Sequence, residues 1–283
     1  MMPALQVGLH VSAAGSLDLA FDRATEVGAT TFQLFTRNPN QWQFSPIPSE
    51  VVAAFREKRA KTGIKRVVDH MPYLPNLASS EPAIQKASRN ALTEEVKRCD
   101  SLGIDYLVIH LGSHRGAGAA SGVRNISEAI NLALAGTRGE VAVLLENMAG
   151  QKNCVGARFE ELGMILGKVK RQERVAVCLD TCHMYAAGFD LRNSDAVSAT
   201  MAVFDECVGY DRLKVIHLND SKGALGSNLD RHEIVGKGKI GVKGVKAILH
   251  YKGILERPLI METPFADVAA MKQSLSTVRR LIK

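Results

Sequence analysis

The sequence predicts an α/β fold of eight parallel strands, each followed by a helix, and points to a closed (β/α)8 barrel. Three observations carry that expectation. Short apolar runs recur along the whole chain, as strands do when helices cover both faces of a parallel sheet. Helical-period patterns fill the intervals. Most of the apolar runs stop at a residue able to bind a metal: YLVIH at His110, VAVLLE at Glu146, VAVCLD at Asp180, LKVIH at His217, PLIME at Glu262 and the weaker RVVDH at His70. In a parallel barrel those ends share one rim, where the active sites of this architecture sit. The 283 residues suit one domain spanning 1–283, since barrels of this kind run about 200 to 250 residues or more as a unit. Periodicity alone does not show closure, and an open doubly wound sheet is the alternative.

The expected strands are 6–11, 30–36, 66–70, 106–110, 141–146, 175–180, 213–217 and 258–262, each a short apolar run ending at or near a polar residue. The expected helices are 17–27, 49–61, 82–102, 126–135, 159–169, 195–208, 242–250 and 267–282. In the third helix Ile84, Ala87, Ala91, Leu92, Val96, Cys99 and Leu102 recur at helical spacing, Pro82 suits the first turn and Gly103 the exit. No linker, low-complexity segment or sequence repeat interrupts the alternation.

Charge and composition narrow the function classes. A net charge of +7 and a pI near 9.2 favour a polyanionic partner, although a merely basic enzyme fits charge alone equally well. The five cysteines, at 99, 154, 178, 182 and 207, are odd in number and contain no Cys-x-x-Cys pair. A disulfide framework or thiolate zinc site is therefore disfavoured, and buried reduced thiols are expected. The N-terminus MMPALQVGLHVS lacks a cationic head and leads into a strand pattern, and no apolar stretch reaches about 18 residues. A cytoplasmic protein without membrane contact is expected.

Four of the eight histidines, His10, His70, His110 and His217, fall at or beside strand ends. A lone histidine is more often a core residue satisfied by a backbone group. Carboxylates on the same rim weaken that explanation, because buried acids without a cationic partner are costly; a metal resolves both problems. In Asp180-Thr-Cys-His183, Asp180 finishes its strand while His183 faces elsewhere from the turn. In Asp230-Arg-His232 an extended loop puts both ligands on one side. His183, Asp230 and His232 form a three-ligand set with an open position, as a catalytic zinc requires. With His70, His110, Glu146, Asp180, His217 and Glu262 the candidates number nine, and one tetrahedral ion uses only about four ligands. More than one metal is implied. Mixed imidazole and carboxylate ligation suits zinc, manganese or iron better than magnesium, and Glu146 and Glu262 are the natural bridges. Several adjacent ions suit in-line displacement at phosphorus. A basic chain then suggests nucleic-acid phosphodiester hydrolysis.

The segments HVSAAG from His10, FTRN from Phe35, Gln41-Trp42, HLGSH from His110 to His114, LEN from Leu145, LDTCH from Leu179 to His183, AGFDLR from Ala187 to Arg192, HLNDSK from His217 to Lys222 and residues 226–232 together resemble the endonuclease IV family of apurinic/apyrimidinic endonucleases. The likeness spans nearly the whole chain, in order. It implies a TIM (β/α)8 barrel with three zinc ions, manganese or iron being able to replace some of them. His70, His110 and Glu146 would hold the first ion. Glu146 would bridge to a second, held also by Asp180, His217 and Glu262, and His183, Asp230 and His232 would hold the third. The implied reaction cleaves the phosphodiester 5′ to an abasic site in double-stranded DNA, leaving a 3′-hydroxyl and a 5′-deoxyribose phosphate. Glu146 and Glu262 would be catalytic, orienting or deprotonating the attacking water. Trimming of blocked 3′ ends is a further activity of such enzymes.

Selectivity would come from flipping the baseless nucleotide out of the stack, which costs least where pairing is already lost. The resemblance assigns this to a loop after the second strand, with Asn38, Asn40, Gln41 and Trp42, and to wedges after the third, Tyr73 and Leu74. Asn40 stands where members of the family often carry an inserted arginine, and an amide cannot stack as a guanidinium does. Arg192, Lys222, Arg231, Lys237 and Lys239 are candidate phosphate contacts, with Ser113 and His114 supporting the ligands or touching phosphate. A monomer acting on DNA is expected. The alternatives are a metal-dependent sugar isomerase or epimerase on the same barrel, and a damage-binding module whose zinc is purely structural.

Overall fold

A computed structural model describes residues 5–263 and 265–283. In chain order the elements are β1 Val7–His10, α1 Leu19–Glu26, β2 Thr31–Leu34, α2 Ser49–Thr62, β3 Val67–His70, α3 Pro82–Leu102, β4 Tyr106–Ile109, α4 Ala119–Ala135, β5 Ala142–Glu146, α5 Phe159–Leu166, β6 Val175–Asp180, α6 Thr181–Ala186, α7 Ser194–Cys207, β7 Leu213–His217, β8 Asp220–Ser221, β9 His232–Glu233, α8 Gly241–Leu249, β10 Leu259–Met261 and α9 Val268–Ile282. Eight strands close in the order β1-β10-β7-β6-β5-β4-β3-β2. Because β1 pairs in parallel with both β2 and β10, the sheet has no edge, and the open doubly wound alternative is excluded.

The pleat explains what the strand sequences do. Alternate residues of a strand point to opposite faces, so each barrel strand sends one set outward to the helices and the other into the lumen. The outward set joins the helix faces in one large core that includes Leu9, Phe32, Val67, Leu107, Val143 and Leu179. The inward set forms a second, smaller cluster of Val68, Val108, Leu144, Ala176, Cys178, Val215 and Ile260. Two residues further along the same strands come His70, His110, Glu146, Asp180, His217 and Glu262. The apolar plug and the polar rim are thus successive layers of one pleat.

Gly8 occupies the β1 position in the lumen. A Cβ there would stand 1.8 Å from the carbonyl oxygen of Thr31 on the neighbouring strand. Backbone cannot yield as a side-chain tip can, so Gly8→Ala is expected to cost at least about 2 kcal/mol, toward the upper part of the range for overpacked interiors. Denaturant unfolding checks this; an unchanged midpoint would mean that the barrel relaxes there freely.

Three elements depart from the sequence expectation. Helix α4 starts at Ala119 rather than 126 and includes Gly122, where a Cβ would lie 2.6 Å from Val155 Cγ2 and only glycine allows that approach. The turn expected after Asp180 is the short helix α6, whose N-cap is Asp180 itself, accepting from the His183 N–H at 2.7 Å. The loop expected around Asp230 and His232 contains a small antiparallel ribbon in which Ser221 pairs with His232. All five cysteines are free, but only Cys99, Cys178 and Cys182 are buried; Cys154 and Cys207 are partly exposed. Among the described residues no helix is long and apolar enough to cross a membrane.

Candidate metal centre at the barrel mouth

The polar rim converges. Glu146 is fully buried, and its two oxygens face different partners. Oε2 lies 3.3 Å from His70 Nε2 and 3.0 Å from His110 Nε2, while Oε1 lies 2.9 Å from His217 Nδ1. His217 Nδ1 is also 3.1 Å from Glu262 Oε2. Beside this pair of clusters, His183 Nε2 and His232 Nε2 approach Asp230 Oδ1 at 3.2 and 3.5 Å. Ligand-capable atoms fall within 4.8 Å of one another in the sets His70, His110, Glu146; Glu146, Asp180, His217, Glu262; and His183, Asp230, His232. All nine sequence candidates are therefore brought together. A fourth set replaces His183 and Asp230 by Asp180 and Cys182 around His232. Burial pushes the Cys182 thiol up to about 12, which disfavours the thiolate that a metal needs.

Two of the imidazoles are oriented from behind by backbone carbonyls. His70 Nδ1 donates to the Met71 carbonyl at 2.8 Å and His183 Nδ1 to the Asn147 carbonyl at 2.9 Å. A carbonyl only accepts, so both rings carry the proton on Nδ1 and turn Nε2 inward, the usual device for aiming metal-binding histidines. Asn147 also brackets Asp180, accepting from its N–H at 2.7 Å and donating to its carbonyl at 3.3 Å. Asn219 donates to Asp180 Oδ2 at 2.6 Å and to Glu262 Oε2 at 3.2 Å. Asp220 receives N–H bonds from Gly236, Ile240 and Gly241 at 3.0, 2.9 and 3.1 Å, pinning the chain that follows the β8–β9 ribbon. Sequence reasoning gave Asn147, Asn219, Asp220 and the buried Gln33 no role. For Gln33 a signal existed, a lone amide inside the run TFQLF.

The carboxylates and imidazoles of the centre perturb one another strongly. Burial alone would raise Glu146, yet His110 and His217 hold its carboxyl well below the usual range. Glu262 is lowered as well, His217 outweighing its burial. Burial would depress His183, but Asp180, Asp230 and Glu146 lift it to about 10. His217 is likewise raised well above normal, burial being overcome by Cys178, Glu262 and Glu146. Imidazole and carboxylate charges thus offset one another across the centre. Meanwhile the buried Nε2 atoms of His183 and His232 make no hydrogen bond at all. Unpaired imidazole nitrogens aimed at a carboxylate oxygen, with mixed nitrogen and oxygen donors all around, fit transition-metal ions.

The centre opens into a cavity of about 350 Å³ lined by His70, Tyr73, His110, His183, Lys222, Asp230, Arg231, His232 and Glu262. Tyr73 is 57% exposed although its ring centroid stands 5.7 Å from that of His70, so it projects from the rim and does not pack under a loop. Trp42 and Leu74 are also exposed, at 40% and 39%. Asn38 accepts from the Asn40 N–H at 3.0 Å, and Arg37 ties this loop to helix α3, bonding the Gln41 carbonyl at 2.7 Å and buried Glu95 at 2.8 Å. Asn38 itself borders a neighbouring cavity of about 450 Å³, between the loops after β1 and β2. Arg192 is engaged in a fork with Asp190, at 2.9 and 2.8 Å. His114 and Ser113 do not line the centre's cavity: His114 Nδ1 accepts from Gly116 and Gly118 N–H at 3.2 and 3.1 Å, and Ser113 is held by Asn76. Lys237 and Lys239 lie exposed beyond β9.

A closed parallel barrel with a buried imidazole and carboxylate centre at its C-terminal mouth defines a class of metal-site barrel enzymes. The family model described as xylose isomerase-like TIM barrel matches residues 21–281. A probable endonuclease 4 of Methanoculleus marisnigri is 46% identical over 276 residues, covering 97% of this chain and 98% of the relative. The crystal structure of endonuclease IV from Thermus thermophilus superposes with a TM-score of 0.88 at 34% identity, covering 98% of both chains. The chain belongs to the endonuclease IV family of hydrolases. D-psicose 3-epimerase from Clostridium cellulolyticum gives a TM-score of 0.68 at 14% identity over 99% of this chain and 100% of that one, a likeness of fold alone.

Proposed function

We propose that this chain is a zinc-dependent DNA repair endonuclease that hydrolyses the phosphodiester 5′ to an abasic site, leaving a 3′-hydroxyl and a 5′-deoxyribose phosphate. The observation that carries the reading is the meeting of three ligand sets, two sharing Glu146 and the third approaching Asp180 through His232 at 3.5 Å, around a cavity with cationic side chains at its edge. His70, His110 and Glu146 would hold one ion, Glu146, Asp180, His217 and Glu262 a second, and His183, Asp230 and His232 a third. When bound, such ions supply a hydroxide at neutral pH and neutralise charge on the phosphate and the leaving oxygen. Glu262 lines the cavity, where its carboxylate orients the attacking water and accepts its proton. Lys222 and Arg231 draw in the phosphate. Tyr73, with Leu74 beside it, occupies the gap that a flipped nucleotide leaves in the stack.

The test is incubation of the zinc-loaded protein with a duplex carrying one abasic site. Cleavage on its 5′ side with an extendable 3′-hydroxyl is expected. Intact DNA together with turnover of a ketose would overturn the reading in favour of an epimerase. At the rim, Tyr73→Ala and Trp42→Ala are each expected to weaken binding of the abasic duplex by roughly 5- to 150-fold, the loss of one stacking contact worth about 1–3 kcal/mol. Their exposure means that folding stability should not move. Fluorescence anisotropy with labelled duplex measures the first quantity and thermal melting the second, and unchanged affinity would show that both rings are bystanders.

A further inference from the structure

Every barrel strand sends one polar side chain to the rim, and two of the eight, His10 and Gln33, are outside the ligand sets. They sit side by side, since His10 and Gln33 are register partners of β1 and β2. Gln33 is fully buried. Its Nε2 donates to Glu262 Oε1 at 2.6 Å, and its Oε1 faces His217 Nε2 at 2.8 Å. A carboxylate can only accept, so the contact with Glu262 fixes which end of the amide is nitrogen. The oxygen must then face His217, whose Nε2 must carry a proton. That leaves His217 Nδ1, which faces the carboxylates of Glu146 at 2.9 Å and Glu262 at 3.1 Å, as the nitrogen whose proton a metal would displace. The same amide nitrogen also lies 3.1 Å from His10 Nδ1, which accepts.

We infer that Gln33 is the positioning residue of the second metal set: one amide selects the Nδ1-ligating form of His217 and aims the carboxylate of Glu262, while His10 backs the amide from behind. His217 is unlike His70 and His183, which use backbone carbonyls and present Nε2. Its orientation is the only one of these three that depends on a side chain. The inference rests on the proposed metal centre and goes beyond it by making metal retention site-selective.

The experiment compares the zinc-loaded protein with Gln33→Met, a substitution of similar volume with no hydrogen-bonding amide. Zinc content is followed against a graded chelator series, and histidine tautomers by long-range proton–nitrogen NMR. The unsubstituted protein is expected to show His217 protonated at Nε2. In Gln33→Met one zinc of the set is expected to leave at about 10- to 100-fold lower chelator concentration, as when such supporting contacts are lost, the others staying in place and circular dichroism unchanged. kcat for incision should fall with KM for DNA held. Retention of every zinc at the original chelator concentration, or Nδ1 protonation of His217 in the unsubstituted protein, would overturn the inference. An unsubstituted protein that takes up no zinc would instead remove the metal-centre reading on which it rests. Should Gln33→Met fail to fold, the tautomer measurement decides alone.

Discussion

Glu262→Gln is expected to lower incision of abasic duplex by at least about a thousandfold while leaving the fold intact. The substitution keeps the volume and one oxygen of the side chain. It removes the charge that offsets a metal, the acceptor for a water proton, and one of the two oxygens that accept from Gln33 at 2.6 Å and from Asn219 at 3.2 Å. Those losses act in the reacting state, and about 4 kcal/mol of transition-state stabilisation corresponds to about three powers of ten. The carboxylate faces the mouth, with a side chain 13% exposed, so glutamine has room to turn without opening a cavity. Single-turnover cleavage with a melting curve on the same sample is the check. Incision within tenfold of the unsubstituted rate would remove Glu262 from the chemistry.

Metal removal is expected to silence the enzyme without unfolding it. The ligands form a layer above an apolar plug of Val68, Val108, Leu144, Val215 and Ile260, and neither that plug nor the larger core between strands and helices contains a ligand. Protons on His183 and His217 replace the ions, so the stripped site is not a cluster of bare carboxylates. Exhaustive chelation should therefore abolish incision and preserve the far-ultraviolet spectrum at neutral pH. Readdition of zinc should restore activity. A signature in pH follows. The pKa of His183 is raised from 6.5 to about 10 on folding, so its contribution to stability is full below about 6.5 and is lost as pH rises through 10. Glu146, held below its ordinary value, acts in the opposite sense, its contribution being lost on acidification. The metal-free protein should accordingly melt at progressively lower temperature from pH 6.5 to 10, and the zinc-loaded protein should not follow it. A chain that unfolds on chelation at neutral pH would point to structural metals.

The strand pattern and the candidate ligands at the strand ends were legible because both are local. In the runs ending at Glu146, Asp180 and His217, apolar spacing and terminal ligand sit within six residues, and a parallel barrel needs nothing more to gather them. What sequence could not display was the support. Asn147 reaches Asp180 across 33 positions, and Asn219 reaches Glu262 across 43. Gln33 meets Glu262 across 229. No periodicity links such pairs. Helix α6 was hidden by its length of six residues and by a cap that was already counted as a ligand. The early turns of α4 include Gly122, a poor helix former that packs closely against Val155, and apolar periodicity does not register such a contact. In the rim loops, exposure of Trp42 and Tyr73 depends on what packs around them, which composition does not encode.

The central claim is that nine dispersed side chains create one trinuclear centre. Anomalous diffraction at the zinc edge from crystals grown with zinc tests it most directly. Three peaks are expected in the barrel mouth, each about 2.0–2.2 Å from nitrogen and oxygen ligands. One should touch His70, His110 and Glu146, one His217 with Glu146, Asp180 and Glu262, and one His183, Asp230 and His232. A mouth without zinc beside Glu146, or peaks held by other residues, would contradict the account.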